Sequence, residues 1–159
     1  MQWQTGALCL VTIALFPACA TGPRSEGKPN YTKNEISEVY NDLGTSALSN
    51  GDLPRAIENL RIALEYNGDN AAAHNNLGLA FIGMAKKEEA KAEFISASSL
   101  DPKYSDPLVN LGTWYFSAGN KEKARSYYRQ ALDNLEYKRR YQPLASLGHI
   151  DLIEGNLQS

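Results

Sequence analysis

The sequence predicts an all-α protein built as an array of packed helix hairpins. Three observations carry that prediction. The first is composition: among 159 residues, Val, Ile and Thr together number 17, whereas Ala and Leu together reach 38. So poor a supply of β-branched residues argues against a sandwich or barrel. The second is self-similarity with a period of 34 residues, the mark of a repeat architecture. The third is helix punctuation that falls in register with that period.

The period is visible residue by residue. Leu43-Gly44 recurs as Leu77-Gly78 and Leu111-Gly112, Ala56 as Ala90 and Ala124, and Ala63 as Ala97 and Ala131, all at a spacing of 34. Leu60, Phe94 and Tyr128 share one place, and Ala47, Phe81 and Tyr115 another. Gly51, Ala85 and Gly119 share the place of a turn. Small residues at matched places let two helices approach closely, and large apolar residues fill the space between hairpins.

In chain order, residues 1–23 come first and hold no Asp, Glu, Lys or Arg. Within them Ala7 to Phe16 form a ten-residue apolar run, too short to cross a bilayer core, which takes roughly 20 residues. It matches the apolar region of a secretory signal peptide. Pro17-Ala18-Cys19-Ala20 puts a small residue before a cysteine and leads into the polar stretch TGPRSEGKPN. This resembles the lipobox of bacterial lipoproteins, with a signal peptide over 1–18 and Cys19 as the lipid-modified first residue of the mature chain. Phe16 and Pro17 depart from the usual lipobox residues, and no Lys or Arg precedes the apolar run. Ala18-Cys19-Ala20 is also a small-x-small cleavage site, and cleavage after Ala20 leaves a soluble exported protein. Under the lipoprotein reading, residues 19–33 form a tether, whose last fourteen residues span roughly 20 Å as a coil.

The helices follow. Thr32 with Glu35 reads as a capping box, with Asn34 a rival cap, and opens a helix over 34–49. Asp52 before Leu53-Pro54 is a cap with an early-turn proline and opens 53–66. Helices over 71–84 and 87–100 repeat the pair. Ser105-Asp106-Pro107 punctuates the third pair in the same manner, giving 106–118 and 121–135. Leu147-Gly148 continues the series at a spacing of 36, so two residues are inserted in the connection EYKRRYQP. A last helix over 141–154 reads as a partial repeat that caps the array. Asp151 stands there at the place of Ala47, Phe81 and Tyr115, a charge that suits a solvent-facing end.

These residues resemble the tetratricopeptide repeat, with units at 37–70, 71–104 and 105–138. Asp101-Pro102 closes the second unit in that family's manner, whereas Asn67-Gly68 and Leu135-Glu136 hold those places in the others. The resemblance implies a right-handed α-solenoid over residues 34–159 with a C-terminal capping helix.

Composition narrows the function. Two Cys and two His exclude a disulfide scaffold and a Cys/His zinc finger. A net charge of −2 supplies no bulk reason to bind nucleic acid. His74 and His149 fall in separate units with no nucleophile or acidic orienter in a recognisable arrangement, and the glycines recur for hairpin packing rather than as a phosphate loop. The expectation is therefore no enzyme, no cofactor and no metal. Lys138-Arg139-Arg140 is a basic connection that reads as a soluble turn or as a mark for an acidic partner.

In tetratricopeptide arrays the first helix of each unit lines the concave face. The resemblance implies a partner-binding groove of Asn41, Thr45 and Leu48, then Asn75, Leu79 and Ile82, then Val109, Thr113 and Phe116, and finally Ala145, His149 and Leu152. Leu48, Ile82, Phe116 and Leu152 form an apolar line, with Asn and Thr beside it to bond a peptide backbone. Asn76 and Asn110 read instead as packing within the array, and part of the apolar line has the same competing reading. No Lys or Arg stands at these places to clamp a terminal carboxylate. The expected ligand is an extended or helical apolar segment of a protein partner.

The combination of lipid anchor, tether and repeats resembles the type IV pilus biogenesis and stability lipoproteins, pilotin-like proteins that help an outer-membrane secretin assemble. That resemblance implies an outer-membrane lipoprotein facing the periplasm, with a secretin subunit or one of its segments as partner. The alternative is a generic envelope adaptor organising cell-wall or secretion machinery.

Overall fold

Helix punctuation decides where this chain turns, and a computed structural model describes the outcome for residues 30–155. The signal region, Cys19 and most of the tether lie outside the described residues. Seven helices follow one another: α1 Lys33–Ser49, α2 Leu53–Tyr66, α3 Ala71–Gly83, α4 Lys87–Leu100, α5 Ser105–Ser117, α6 Lys121–Asp133 and α7 Tyr141–Glu154. Helix α1 pairs with α2, α3 with α4 and α5 with α6, while α2 on α3, α4 on α5 and α6 on α7 join the pairs in sequence. This is an all-α solenoid of hairpins.

Each hairpin closes on the matched glycine. A Cβ placed on Gly44 would sit 2.6 Å from Leu60, on Gly78 2.5 Å from Phe94, and on Gly112 2.6 Å from Tyr128. The large side chain from the second helix thus lies directly over the backbone of the first, and only glycine leaves room for it. The six matched alanines of α2, α4 and α6 are fully buried around these contacts. Two core clusters result, one over the first two hairpins and one over the third hairpin and α7, and Tyr127 packs against both.

The turns explain the glycines of the second matched place. Gly51 and Gly119 have φ of +74° and +79°, and Ala85, at the same place, is forced to +59°. A left-handed conformation costs a residue with a Cβ roughly 1–2 kcal/mol. The next residue compounds it. Asp52 and Asn120 cap α2 and α6 with side-chain bonds to Arg55 N–H and Lys123 N–H, but Lys86, their counterpart, makes no such bond to α4. The double replacement Ala85→Gly with Lys86→Asp is expected to stabilise the fold by about 1–2 kcal/mol, read as a rise in the midpoint of thermal unfolding.

The ends of the helices hold two corrections. The capping box of Thr32 and Glu35 forms, and Asn34 lies inside α1. Ser105, expected outside the third pair as part of its cap, is instead the first residue of α5; its hydroxyl is buried with no hydrogen-bond partner among the described residues. The cap position belongs to Tyr104, which takes the place of Asn70, the residue whose side chain caps α3 on Ala73 N–H. The other correction concerns the long connection. Asn67 and Asp101 each end a helix and fold the next turn by accepting from a backbone N–H two residues on, and Asn134 does the same. So Leu135-Glu136 does not occupy the closing place of the third unit: α6 ends one residue early and the connection is longer to match. Arg140 fills the extra length by donating to the carbonyls of Leu132 and Asn134 at the end of α6.

His74 ties α3 to α4 and to the preceding turn. Its Nδ1 lies 2.6 Å from Glu93 Oε2 and its Nε2 3.1 Å from the Gly68 carbonyl. Both ring nitrogens face acceptors, so only the doubly protonated imidazolium satisfies both, and the Glu93 carboxylate holds the His74 pKa above its ordinary value. A raised folded-state pKa means stability that is fully present below the unfolded pKa near 6.5 and is lost as pH rises through the folded value. The melting-point difference between wild type and His74→Phe is therefore expected to shrink as pH rises from about 6 to 8, measured by circular dichroism at fixed ionic strength.

Candidate functional site

The first helices carry a ladder of asparagines. Asn76 Nδ2 donates to Asn41 Oδ1 at 2.9 Å and to Thr45 Oγ1 at 3.0 Å, joining α1 to α3. One repeat on, Asn110 Nδ2 donates to Asn75 Oδ1 at 2.9 Å, joining α3 to α5. Val109 stands where Asn41 and Asn75 stand, so the ladder ends there. Asn76 and Asn110 are packing residues, as expected. The correction is that Asn41, Thr45 and Asn75 belong to the same ladder rather than being reserved for a peptide backbone. Asn75 is only 3% exposed. Thr113 is likewise engaged, with its hydroxyl donating to the Val109 carbonyl and lying 3.2 Å from the Tyr128 hydroxyl. The physical reason is that an amide or hydroxyl between neighbouring helices lowers the free energy more by bonding across the interface than by waiting for a ligand.

Two open pockets flank the ladder. One, of about 400 Å³, is mainly apolar and is lined by Leu79, Ile82, Lys87, Phe94, Asn110, Thr113, Trp114 and Ser117. The other, of about 450 Å³, is more polar and is lined by Thr45, Asn75, Asn76, Leu79, Tyr104, Asp106, Val109, Asn110, Arg139 and Gln142. Leu79 borders both. Of the expected groove residues, Thr45, Asn75, Leu79, Ile82, Val109 and Thr113 come together here. The available apolar surface is Leu79 and Ile82, which are 39% and 44% exposed.

The rest of the expected line does not join them. Leu48 is half-buried against the first core cluster. Phe116 packs on the second, its ring centroid 5.5 Å from that of His149, so this pair fastens α5 to α7 instead of bordering a pocket. Leu152 is exposed at the far end of α7, and Ala145 is exposed beside it. Asp151 is not simply solvent-facing: Arg125 on α6 holds it at 2.5 Å and holds Glu154 at 2.6 Å.

Several pocket residues lie off the pattern of first-helix positions from which the groove was read. Trp114 is fixed by its indole N–H donating to the Lys87 carbonyl at 2.8 Å, which sets the ring as one wall of the apolar pocket. Lys91 lies 4.3 Å over the same ring. Arg139, from the basic connection, pairs with Asp106 and brings a guanidinium to the polar pocket. Tyr137 donates its hydroxyl to Asp106 at 2.7 Å, and burial followed by that bond pushes its pKa up. Burial and the nearby Asp106 carboxylate push Tyr104 up to about 12. Both phenols therefore stay neutral, and Tyr104 is one wall of the polar pocket. The run Lys138-Arg139-Arg140 flagged this region: Arg139 pairs with Asp106 while its side chain stays 54% exposed, and Arg140 bonds the end of α6.

Among the described residues no group of His, Cys, Asp and Glu could hold a metal ion, and no helix is long and apolar enough to cross a membrane. The two pockets offer apolar surface, the neutral Tyr104 side chain, the Lys87 side chain and the Arg139–Asp106 pair.

Comparison with known proteins agrees with this architecture. Tetratricopeptide repeat models match residues 41–85, and 71–104 with 105–134, and between them run over more than half of the chain. The Type IV pilus assembly protein PilF of Pseudomonas aeruginosa is 25% identical over 152 residues, covering 96% of this chain and 60% of that protein. A solved structure from a study of P. aeruginosa PilF superposes with a TM-score of 0.73 and 26% identity, covering 77% of this chain and 55% of that one. Tetratricopeptide repeat protein 8 of Mus musculus is 32% identical over 92 residues, 58% of this chain and 18% of that protein. The second tetratricopeptide domain of Spaghetti (RPAP3), solved with an HSP90 peptide, superposes with a TM-score of 0.59 and 26% identity, covering 62% of this chain and 92% of that one. The chain thus spans about a fifth and three fifths of the two curated relatives' lengths. With its hairpins in a 34-residue register and repeat models running over more than half its length, the chain belongs to the tetratricopeptide repeat family of protein–protein interaction scaffolds.

Proposed function

We propose that this scaffold is a pilotin-like lipoprotein, anchored through Cys19, that escorts subunits of an outer-membrane secretin during type IV pilus assembly. The observation that carries the reading is the reach of the likeness to PilF, which takes in 96% of the chain rather than the repeats alone. The leader supports it, since Ala7 to Phe16 followed by Ala18-Cys19 supplies an export signal and a residue for lipid. The pockets between α3 and α5 are the place for an apolar segment of the secretin subunit.

Deleting the gene in its own host tests the reading. The expected result is loss of assembled secretin multimers from outer-membrane fractions, with monomers accumulating; multimers at wild-type level would overturn it. For the anchor, Cys19→Ser is expected to move the protein from the membrane to the soluble periplasmic fraction. A mature amino terminus at Thr21 by mass spectrometry would instead establish soluble export.

A further inference from the structure

Asn70 does two jobs between the first two hairpins. Its Oδ1 accepts from Ala73 N–H at the start of α3, and its Nδ2 donates to the Ser37 hydroxyl of α1 at 2.9 Å. Around α5 both jobs go undone. Tyr104, one repeat on from Asn70, makes no side-chain bond to the helix it opens. Ser105, at the third place of the series Ser37, Ala71, Ser105, is 3% exposed, and its hydroxyl has no hydrogen-bond partner among the described residues. Tyr137 follows its turn as Asn70 does, with its N–H on the Asn134 carbonyl, but directs its hydroxyl to Asp106. The start of α5 lines a cleft of about 400 Å³ whose charged groups are Lys103, Lys138 and Arg139 against Asp106 and Glu136. Arg139 and Asp106 pair with each other, whereas Lys103, Lys138 and Glu136 have no ion-pair partner among the described residues. Three cations against two carboxylates leave one positive charge.

We propose that this cleft binds the side-chain carboxylate of an Asp or Glu in an acidic protein segment. The Ser105 hydroxyl donates to it, and Lys103 and Lys138 supply the attraction. Pro107 has no N–H, so the first turn of α5 offers the amides of Ser105 and Asp106 beside that hydroxyl, at the positive end of the helix. A single positive charge matches a carboxylate rather than a doubly charged phosphate. A buried hydroxyl without a partner lowers the stability of the fold. Packing does not require it either, since Ala71 holds the same place in α3. The site gives the basic connection of the sequence an acidic partner. It lies apart from the apolar pocket bordered by Leu79 and Ile82 and stands whether or not the pilus reading does.

The test titrates the full chain into a fluorescein-labelled, carboxy-amidated oligoglutamate peptide, with oligoglutamine as control. Anisotropy is expected to show saturable binding of oligoglutamate and none of oligoglutamine. Ser105→Ala should weaken binding by about tenfold, the loss that goes with a hydrogen bond to a charged group. The double replacement Lys103→Gln with Lys138→Gln should weaken it at least as much. Ser105→Ala is expected to melt at or above the wild-type midpoint, so its loss of binding reports the site and not unfolding. Absence of binding overturns the proposal. Binding undiminished by Ser105→Ala overturns it too, because it marks general attraction to the lysines. Inorganic phosphate that displaces the peptide more strongly than acetate, at equal ionic strength, would assign the cleft to a phosphate group and overturn it as well.

Discussion

Replacing Gly78 by Leu is expected to lower stability by about 3 kcal/mol, the upper end of the usual cost of overpacking. Even a methyl group at this position meets the Phe94 ring at 2.5 Å, and Phe94 is only 1% exposed, at the floor of the apolar pocket. The hairpin must therefore open. Repeat arrays are held by nearest-neighbour interfaces, so the damage reaches α2 and α5 through their contacts with α3 and α4. For an array of this size the melting midpoint should fall by about 10 °C. Adding Phe94→Ala should recover part of the loss, because Leu then fills the volume the ring vacates, and the double-mutant cycle reads the coupling directly. Melts of Gly78→Leu that overlay the wild type would show that the glycine is not a packing contact in solution.

Leu79→Ser combined with Ile82→Ser is expected to weaken capture of an apolar peptide by about 10-fold or more while leaving the helical fold in place. Both side chains are partly exposed, and they border the apolar pocket that Trp114 walls. Fully burying such a side chain contributes roughly 1.5–3 kcal/mol, and since about two fifths of each is exposed, the two together contribute about 1–2.5 kcal/mol, a factor of about 10 or more. Phe116 is left intact because it is part of the packing between α5 and α7, where a serine would confuse binding with folding. The measurement is calorimetric titration of a peptide selected from a display library, with a thermal melt on the same preparation. Undiminished binding by a well-folded double variant would move recognition away from these pockets.

The period of the sequence was sufficient to place and pair six of the seven helices of the described residues, while α7 follows at a spacing of 36. A helix that must lie against another needs a small residue at the crossing, and a turn that needs a left-handed residue selects glycine. Both demands write themselves into the sequence at fixed spacing, as Gly44, Gly78 and Gly112 do, and as Gly51 and Gly119 do. Equivalence of position does not state what a polar side chain bonds to. Asn75 and Asn76 are adjacent and chemically identical, yet each serves a different neighbour, one accepting from Asn110 and the other donating to Asn41. That choice, and with it which of the first-helix residues remain available to a ligand, depends on the distance between helices that are 34 residues apart. The walls of the pockets were equally out of reach of the period. Trp114 becomes a wall because its indole finds the Lys87 carbonyl, and Arg139 reaches a pocket because three further residues in the connection bring it beside Asp106. Periodicity reports which residues repeat, and a binding surface is made where neighbouring repeats differ, so packing in three dimensions was needed to find it.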